Sequence, residues 1–108
     1  MDHQSEHSDS TTRVMIVDDD LYVRSSLGRE LSAVSTITVT GTYPDGVTAL
    51  RQAAADRPHV ALVDIAMPVL DGPETTRRLK QASPDLHVLA LTSLADRQSA
   101  AAMVWTAA

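Results

Sequence analysis

The 108-residue chain is predicted to fold as a doubly wound α/β domain with a parallel sheet. Two observations carry this. Short apolar runs alternate with amphipathic helical patterns four times over, which is the signature of repeated strand–helix units. Three of those runs end in carboxylates or hydroxyls: Arg13–Val17 before Asp18-Asp19-Asp20, Val60–Val63 before Asp64, and Leu89–Leu91 before Thr92-Ser93. Open α/β sheets place their ligand crevice at the carboxyl ends of the strands, so polar groups collected there point to one shared site.

Residues 1–12 (MDHQSEHSDSTT) hold no apolar side chain after the initiator and read as a disordered lead, with the folded domain at 13–108. His3 and His7 stand four apart, but nothing in that polar segment would offset the entropy of ordering it around a metal. Arg13–Val17 is a buried first strand. Asp20 is placed as an N-cap, and a first helix over Leu21–Val34 turns Val23, Leu27, Leu31 and Val34 inward. Arg24, Arg29 and Glu30 fall on its polar side and read as solvated. Ile37–Tyr43 shows β-branched alternation, as in a half-exposed edge strand. Pro44-Asp45-Gly46 reads as a turn. Val47, Leu50, Ala53 and Ala54 then define a second helix, ended by Arg57-Pro58.

Val60–Val63 lacks alternation, which suits a strand buried on both faces. Asp64 ends it. Alone, Asp64 reads either as a carboxylate in a ligand crevice or as a cap for the next turn. Met67-Pro68 keeps the chain extended, and Asp71-Gly72 supplies turn chemistry. Pro73 suits the first turn of a third helix, with Leu79 as its clearest buried position. Arg77, Arg78 and Lys80 read as a solvated basic stripe. His87–Thr92 is a fourth strand; His87 heads it, away from the carboxyl end, and reads as structural. Ala95–Ala108 is a fourth helix with Ala100, Met103, Val104 and Ala107 inward. Right-handed crossovers give the strand order 2-1-3-4, which sets the first and third strands side by side and brings Asp19 to Asp64.

A cluster of carboxylates in one crevice is strained by like-charge repulsion unless a cation or a proton sits among them. Oxygen ligands without Cys or His suit a hard ion such as Mg²⁺. The net charge of −5 and the scarcity of aromatic residues argue against a nucleic-acid surface. Cysteine is absent, so neither a disulfide framework nor a thiolate site is available. No apolar stretch approaches a membrane span and no signal peptide opens the chain, in keeping with the cytoplasm.

VDDD at Val17–Asp20, VDIAMPVLDG at Val63–Gly72 and LTS at Leu91–Ser93 together resemble the receiver domain of two-component response regulators. The similarity runs from Arg13 to the end of the chain and leans toward receivers that precede a helix-turn-helix output domain. It implies a flavodoxin-like sheet. It also implies Asp64 as phosphoacceptor for a sensor histidine kinase, and Thr92 as the switch hydroxyl. Asp18, Asp19, Asp64 and the Ala66 backbone carbonyl would hold Mg²⁺. Ala66 and Leu94 occupy the two positions that tune dephosphorylation in the family. Transcriptional control would lie in an output domain outside these residues. Such a protein is a phosphoacceptor that assists its own phosphorylation and dephosphorylation rather than an enzyme acting on other substrates. The family lysine, expected beyond Thr92 at the end of a fifth strand, has no counterpart in the sequence. A fourth strand left at the edge, His87–Thr92, invites self-association.

Two other readings compete. One is a receiver-like interaction module that does not signal. The other is a haloacid-dehalogenase-like phosphatase, which also uses an Asp-x-Asp pair with Mg²⁺; that family places a small hydroxylated or branched residue soon after the pair, whereas Leu21 and Tyr22 follow here. Metal-dependent phosphorylation of Asp64 separates signalling from the first, and turnover of small phosphate esters would favour the second.

Overall fold

A computed structural model describes residues 10–67 and 70–91 of the chain. These residues form four strands and three helices in strict alternation: β1 (Thr12–Val17), α1 (Leu21–Ser32), β2 (Ile37–Tyr43), α2 (Gly46–Asp56), β3 (Val60–Asp64), α3 (Gly72–Ala82) and β4 (His87–Leu91). The strands are all parallel, in the order β2-β1-β3-β4. Both the doubly wound architecture and the strand order agree with the sequence reading. The predicted helix over Ala95–Ala108 lies outside the described residues.

The core forms on the sheet face that receives α2 and α3. Met15 and Val17 of β1, Ala61 and Val63 of β3, and Val88 of β4 meet Ala49 and Ala53 of α2 and Leu79 of α3. Small residues on α2 let that helix lie close to the sheet. Gly46 has a particular duty: a Cβ there would run into the buried Thr75 side chain of α3 and stand 3.0 Å from Leu70 Cδ2. The face of α2 is therefore set by Gly46, Ala49 and Ala53, with Leu50 packed at its margin. Val47 and Ala54, expected inward, are exposed. The sequence pattern favoured larger apolar side chains, but the space between α2 and α3 admits only small ones.

The opposite sheet face is covered less completely among the described residues. α1 packs across β1 and β2, and none of its residues is fully buried; Val23, Leu27 and Leu31 are half-buried. Because α1 leans toward β2, Val60 and Leu62 of β3 are only partly covered, not buried on both faces as the unbroken apolar run suggested. The helix ends at Ser32 with Ala33 as its cap, so Val34 falls beyond the last turn and is exposed.

Side chains close the helix ends. Asp20, Asp45 and Asp71 each sit in extended backbone and accept from the first turn of α1, α2 and α3 respectively, occupying amides that would otherwise lack partners. Pro73 follows in the first turn of α3, where its missing N–H is no loss. Lys80 does not belong to a solvated stripe: its Nζ donates to the carbonyls of Pro84 at 2.7 Å and Leu86 at 2.8 Å, tying the end of α3 to the start of β4. Arg77 and Arg78 are exposed and pair with Glu74. On the other side of the molecule, the β1–β2 register shifts between Val14 and Met15, so Val14 faces Val39 while Met15 faces Gly41. The extra residue at this bulge bends β2, and Tyr43 at its end donates to Asp56, fastening β2 to the end of α2. Burial and then the Asp56 carboxylate push the Tyr43 hydroxyl up to about 12.

Candidate functional site

β1 and β3 run side by side, with Val17 opposite Val63. One residue further along each strand are Asp18 and Asp64, and the sheet itself brings them together. Asp18 is buried. Its amide donates to Tyr43 O at 3.0 Å, continuing the sheet past the last β1 residue, and its Oδ1 accepts from the Asp20 amide at 2.8 Å. Asp19 is exposed on the rim. Carboxylate oxygens of Asp18, Asp19 and Asp64 all lie within 4.8 Å of one another.

Asp64 is the last residue of β3, paired with Leu91 of β4. The Ile65 amide donates to Leu91 O at 3.2 Å, so β4 also supports the first step of the loop. Asp64 Oδ1 accepts from the Ala66 amide at 3.1 Å. That bond fixes one oxygen of the carboxylate. Gly72, at the start of α3, lies against this loop. A Cβ there would collide with the Asp64 carbonyl and stand 2.7 Å from Ile65 Cα. Glycine at this position is thus a condition for the backbone under Asp64 to rest on α3.

Two carboxyls record the crowding of charge. Asp64 is pushed up to about 6, first by burial and then by the charges of Asp18 and Asp19, against the Ala66 amide, which lowers it. Asp18 is also raised, again first by burial; the Asp20 amide and the Arg24 guanidinium oppose that rise. A divalent cation fits such a place. Every side-chain donor is a carboxylate oxygen, the spacing matches a single hard ion, and the repulsion is what such an ion would relieve.

The structure therefore brings together Asp18, Asp19 and Asp64 as expected, with Ala66 exposed two residues beyond Asp64. Asp20 belongs elsewhere. Its Oδ1 accepts from the Tyr22 amide at 2.8 Å and the Val23 amide at 3.3 Å, as a helix cap. That employment removes the second carboxylate a phosphatase-type Asp-x-Asp pair would need. Thr92 and Leu94 lie outside the described residues.

Arg24 was missed. The sequence put it on the solvated side of α1, yet it is half-buried and its Nη1 donates to Asp18 O at 2.7 Å. The signal was available in the helical repeat: Asp20 caps the helix, and a long side chain one turn in reaches back over the cap to the strand end.

A family model described as the response regulator receiver domain matches residues 14–108. The response regulator MprA of Mycobacterium ulcerans (strain Agy99) is 45% identical over 83 residues, covering 77% of this chain and 35% of that protein. MprA of Mycobacterium tuberculosis (strain ATCC 25618 / H37Rv) is 43% identical over 83 residues, with the same coverage of 77% and 35%. The chain thus spans about a third of the length of the curated relatives it matches. Among solved structures, the response regulator domain of Thermotoga maritima CheB superposes with a TM-score of 0.75 at 28% identity, covering 86% of this chain and 69% of that one. The signal receiver domain of the response regulator NarL from Mycobacterium tuberculosis gives 0.71 at 29% identity, with coverage of 86% and 77%. Among the described residues no helix is long and apolar enough to cross a membrane.

Proposed function

The chain belongs to the response regulator receiver family, and from that premise we propose that Asp64 accepts a phosphoryl group from the phosphohistidine of a sensor histidine kinase. The observation that supports this most strongly is the convergence of Asp18, Asp19 and Asp64 at adjacent strand ends. In the proposed reaction, Asp64 Oδ2 attacks phosphorus, a P–O bond forms, and the P–N bond breaks with its electron pair leaving on the histidine nitrogen. The Ala66 amide holds Oδ1 and so fixes the plane of the carboxylate. Asp18 is anchored through the Asp20 amide and, at its carbonyl, through Arg24. Catalysis of this kind is mainly positioning and neutralisation of charge, because the phosphoryl group brings its own reactivity.

Mg²⁺ would be held by Asp18, Asp19, Asp64 and the Ala66 backbone carbonyl. When bound it supplies positive charge for the phosphoryl oxygens and relieves the repulsion among the three carboxylates. Thr92, next along the chain from β4, is the proposed switch: its hydroxyl donates to the new phosphoryl oxygen and shifts the end of that strand. The output is proposed to be transcriptional and to reside in a further domain, and the chain's setting is proposed to be the cytoplasm. The chain is thereby a phosphoacceptor that assists its own phosphorylation and hydrolysis. Incubation with acetyl phosphate, with and without Mg²⁺, followed by intact-mass measurement, tests the reading. One phosphoryl group should be added only when Mg²⁺ is present, and none in Asp64→Asn. Equal addition without the ion, or in the variant, would overturn it.

A further inference from the structure

At the far end of the sheet from the carboxylates, the starts of β1, β3 and β4 and the end of α2 border a cleft of about 430 Å³. That is within the range of small-molecule sites, roughly 300–1,000 Å³. Nothing in the phosphoacceptor chemistry uses it.

In a chain of net charge −5, this cleft gathers Arg13, Arg57 and His59 on its walls. Each is held by backbone geometry. Arg13 Nε donates to Arg57 O at 2.6 Å, which fixes that guanidinium across the cleft edge. The Arg13 amide donates to His59 Nδ1 at 2.9 Å, so the neutral ring carries its proton on Nε2 as a further donor. Arg57 is the cap of α2 in the left-handed region, at φ 48° and ψ 54°. It is the only non-glycine residue with positive φ among those described. Glycine takes that conformation without cost, whereas an arginine there carries local strain. Among the described residues, the ion pairs join Glu74 to Arg77 and Arg78, and neither Arg13 nor Arg57 takes part.

We propose that this cleft binds a small monoanionic carboxylate with an apolar body. The guanidinium groups match the planar carboxylate, whose two oxygens accept parallel donors. The exposed Ala54 and Pro84 and the half-buried Pro58 provide an apolar wall, which a bare inorganic oxyanion would leave unused. Asp85 also lines the cleft, and its charge disfavours a ligand with more than one negative charge.

The test is a titration of the ¹⁵N-labelled full chain with benzoate, with benzamide as its neutral counterpart, and with inorganic phosphate, read by amide chemical shifts. Benzoate should give saturable shifts at Arg13, Arg57 and His59, with benzamide and phosphate giving none. Arg57→Gly removes a guanidinium while placing the favoured residue in the left-handed conformation, so the fold is retained. This variant should raise the Kd for benzoate about tenfold or more. Absence of saturable shifts with benzoate, equal binding of benzamide, tighter binding of phosphate, or an unchanged Kd in Arg57→Gly would overturn the proposal.

Discussion

Replacing Asp64 by asparagine removes one charge from a crowded group of three while keeping the side chain's shape and an acceptor for the Ala66 amide. In metal-free buffer, burial first and the neighbouring Asp18 and Asp19 charges next push the Asp64 carboxyl from 3.8 to about 6. The folded value lies above the unfolded one, so between about pH 4 and 6 the folded chain binds more protons, and stability falls as pH rises through that window. The gap between 3.8 and about 6, taken whole, amounts to about 3 kcal/mol. Because the group is partly open to solvent, screening reduces that to about 1 kcal/mol. The asparagine variant should therefore be more stable than the parent by about 1 kcal/mol at pH 7.5, or about 4–8 °C in Tm for a chain of this size. The advantage should shrink toward zero as the pH is lowered to about 4. Mg²⁺ at ten times its Kd should stabilise the parent by about 1.4 kcal/mol and the variant by much less. Thermal melts of both proteins across pH, in chelator and in Mg²⁺, supply every comparison. A variant no more stable than the parent at pH 7.5 in chelator, or a difference that ignores pH, would refute the reasoning.

Further outcomes are expected from the same site and sheet. Asp19→Ala should weaken Mg²⁺ binding about tenfold or more by removing one of few direct carboxylates, measured by calorimetric titration; parent-like affinity would exclude Asp19 as a ligand. Ala66 and Leu94 offer no polar group to orient a water, so a phosphoryl group on Asp64 should be lost slowly. The double substitution Ala66→Asn with Leu94→Glu should speed its decay, followed by intact mass over time; an unchanged decay would remove both positions from that role. β4 flanks the sheet among the described residues and carries the half-exposed Leu89, at 45%. Light scattering across a concentration series on the 108-residue chain should reveal association through this strand, and a constant monomer mass would contradict it.

The fold was legible because its signals are local and repeated. Aspartates at Asp20, Asp45 and Asp71 stand where helices start, and apolar runs stop where carboxylates begin. Asp18, Asp19 and Asp64 could be joined into one site because parallel order alone makes their strands neighbours. What stayed hidden depends on the third dimension. The pattern placed Val47, Leu50, Ala53 and Ala54 inward, whereas the narrow gap between α2 and α3 turns the helix so that Gly46, Ala49 and Ala53 are buried. Arg24 and Lys80 read as solvent-facing by periodicity, yet both side chains are long enough to turn back and hold backbone carbonyls at an element's end. The pairing of Arg13 with Arg57 and His59 had no sequence signal at all, since it is made by residues far apart along the chain and near in the sheet.

The proposed phosphoryl transfer is directed to one of three adjacent carboxylates. Phosphorylation in Mg²⁺ with acetyl phosphate, followed by borohydride trapping of the acyl phosphate and peptide mass mapping, assigns the acceptor directly. The reduced residue should be Asp64 alone, with Asp18 and Asp19 unmodified. Reduction at Asp18 or Asp19, or no trapped residue in a sample whose intact mass shows a phosphoryl group, would contradict the account.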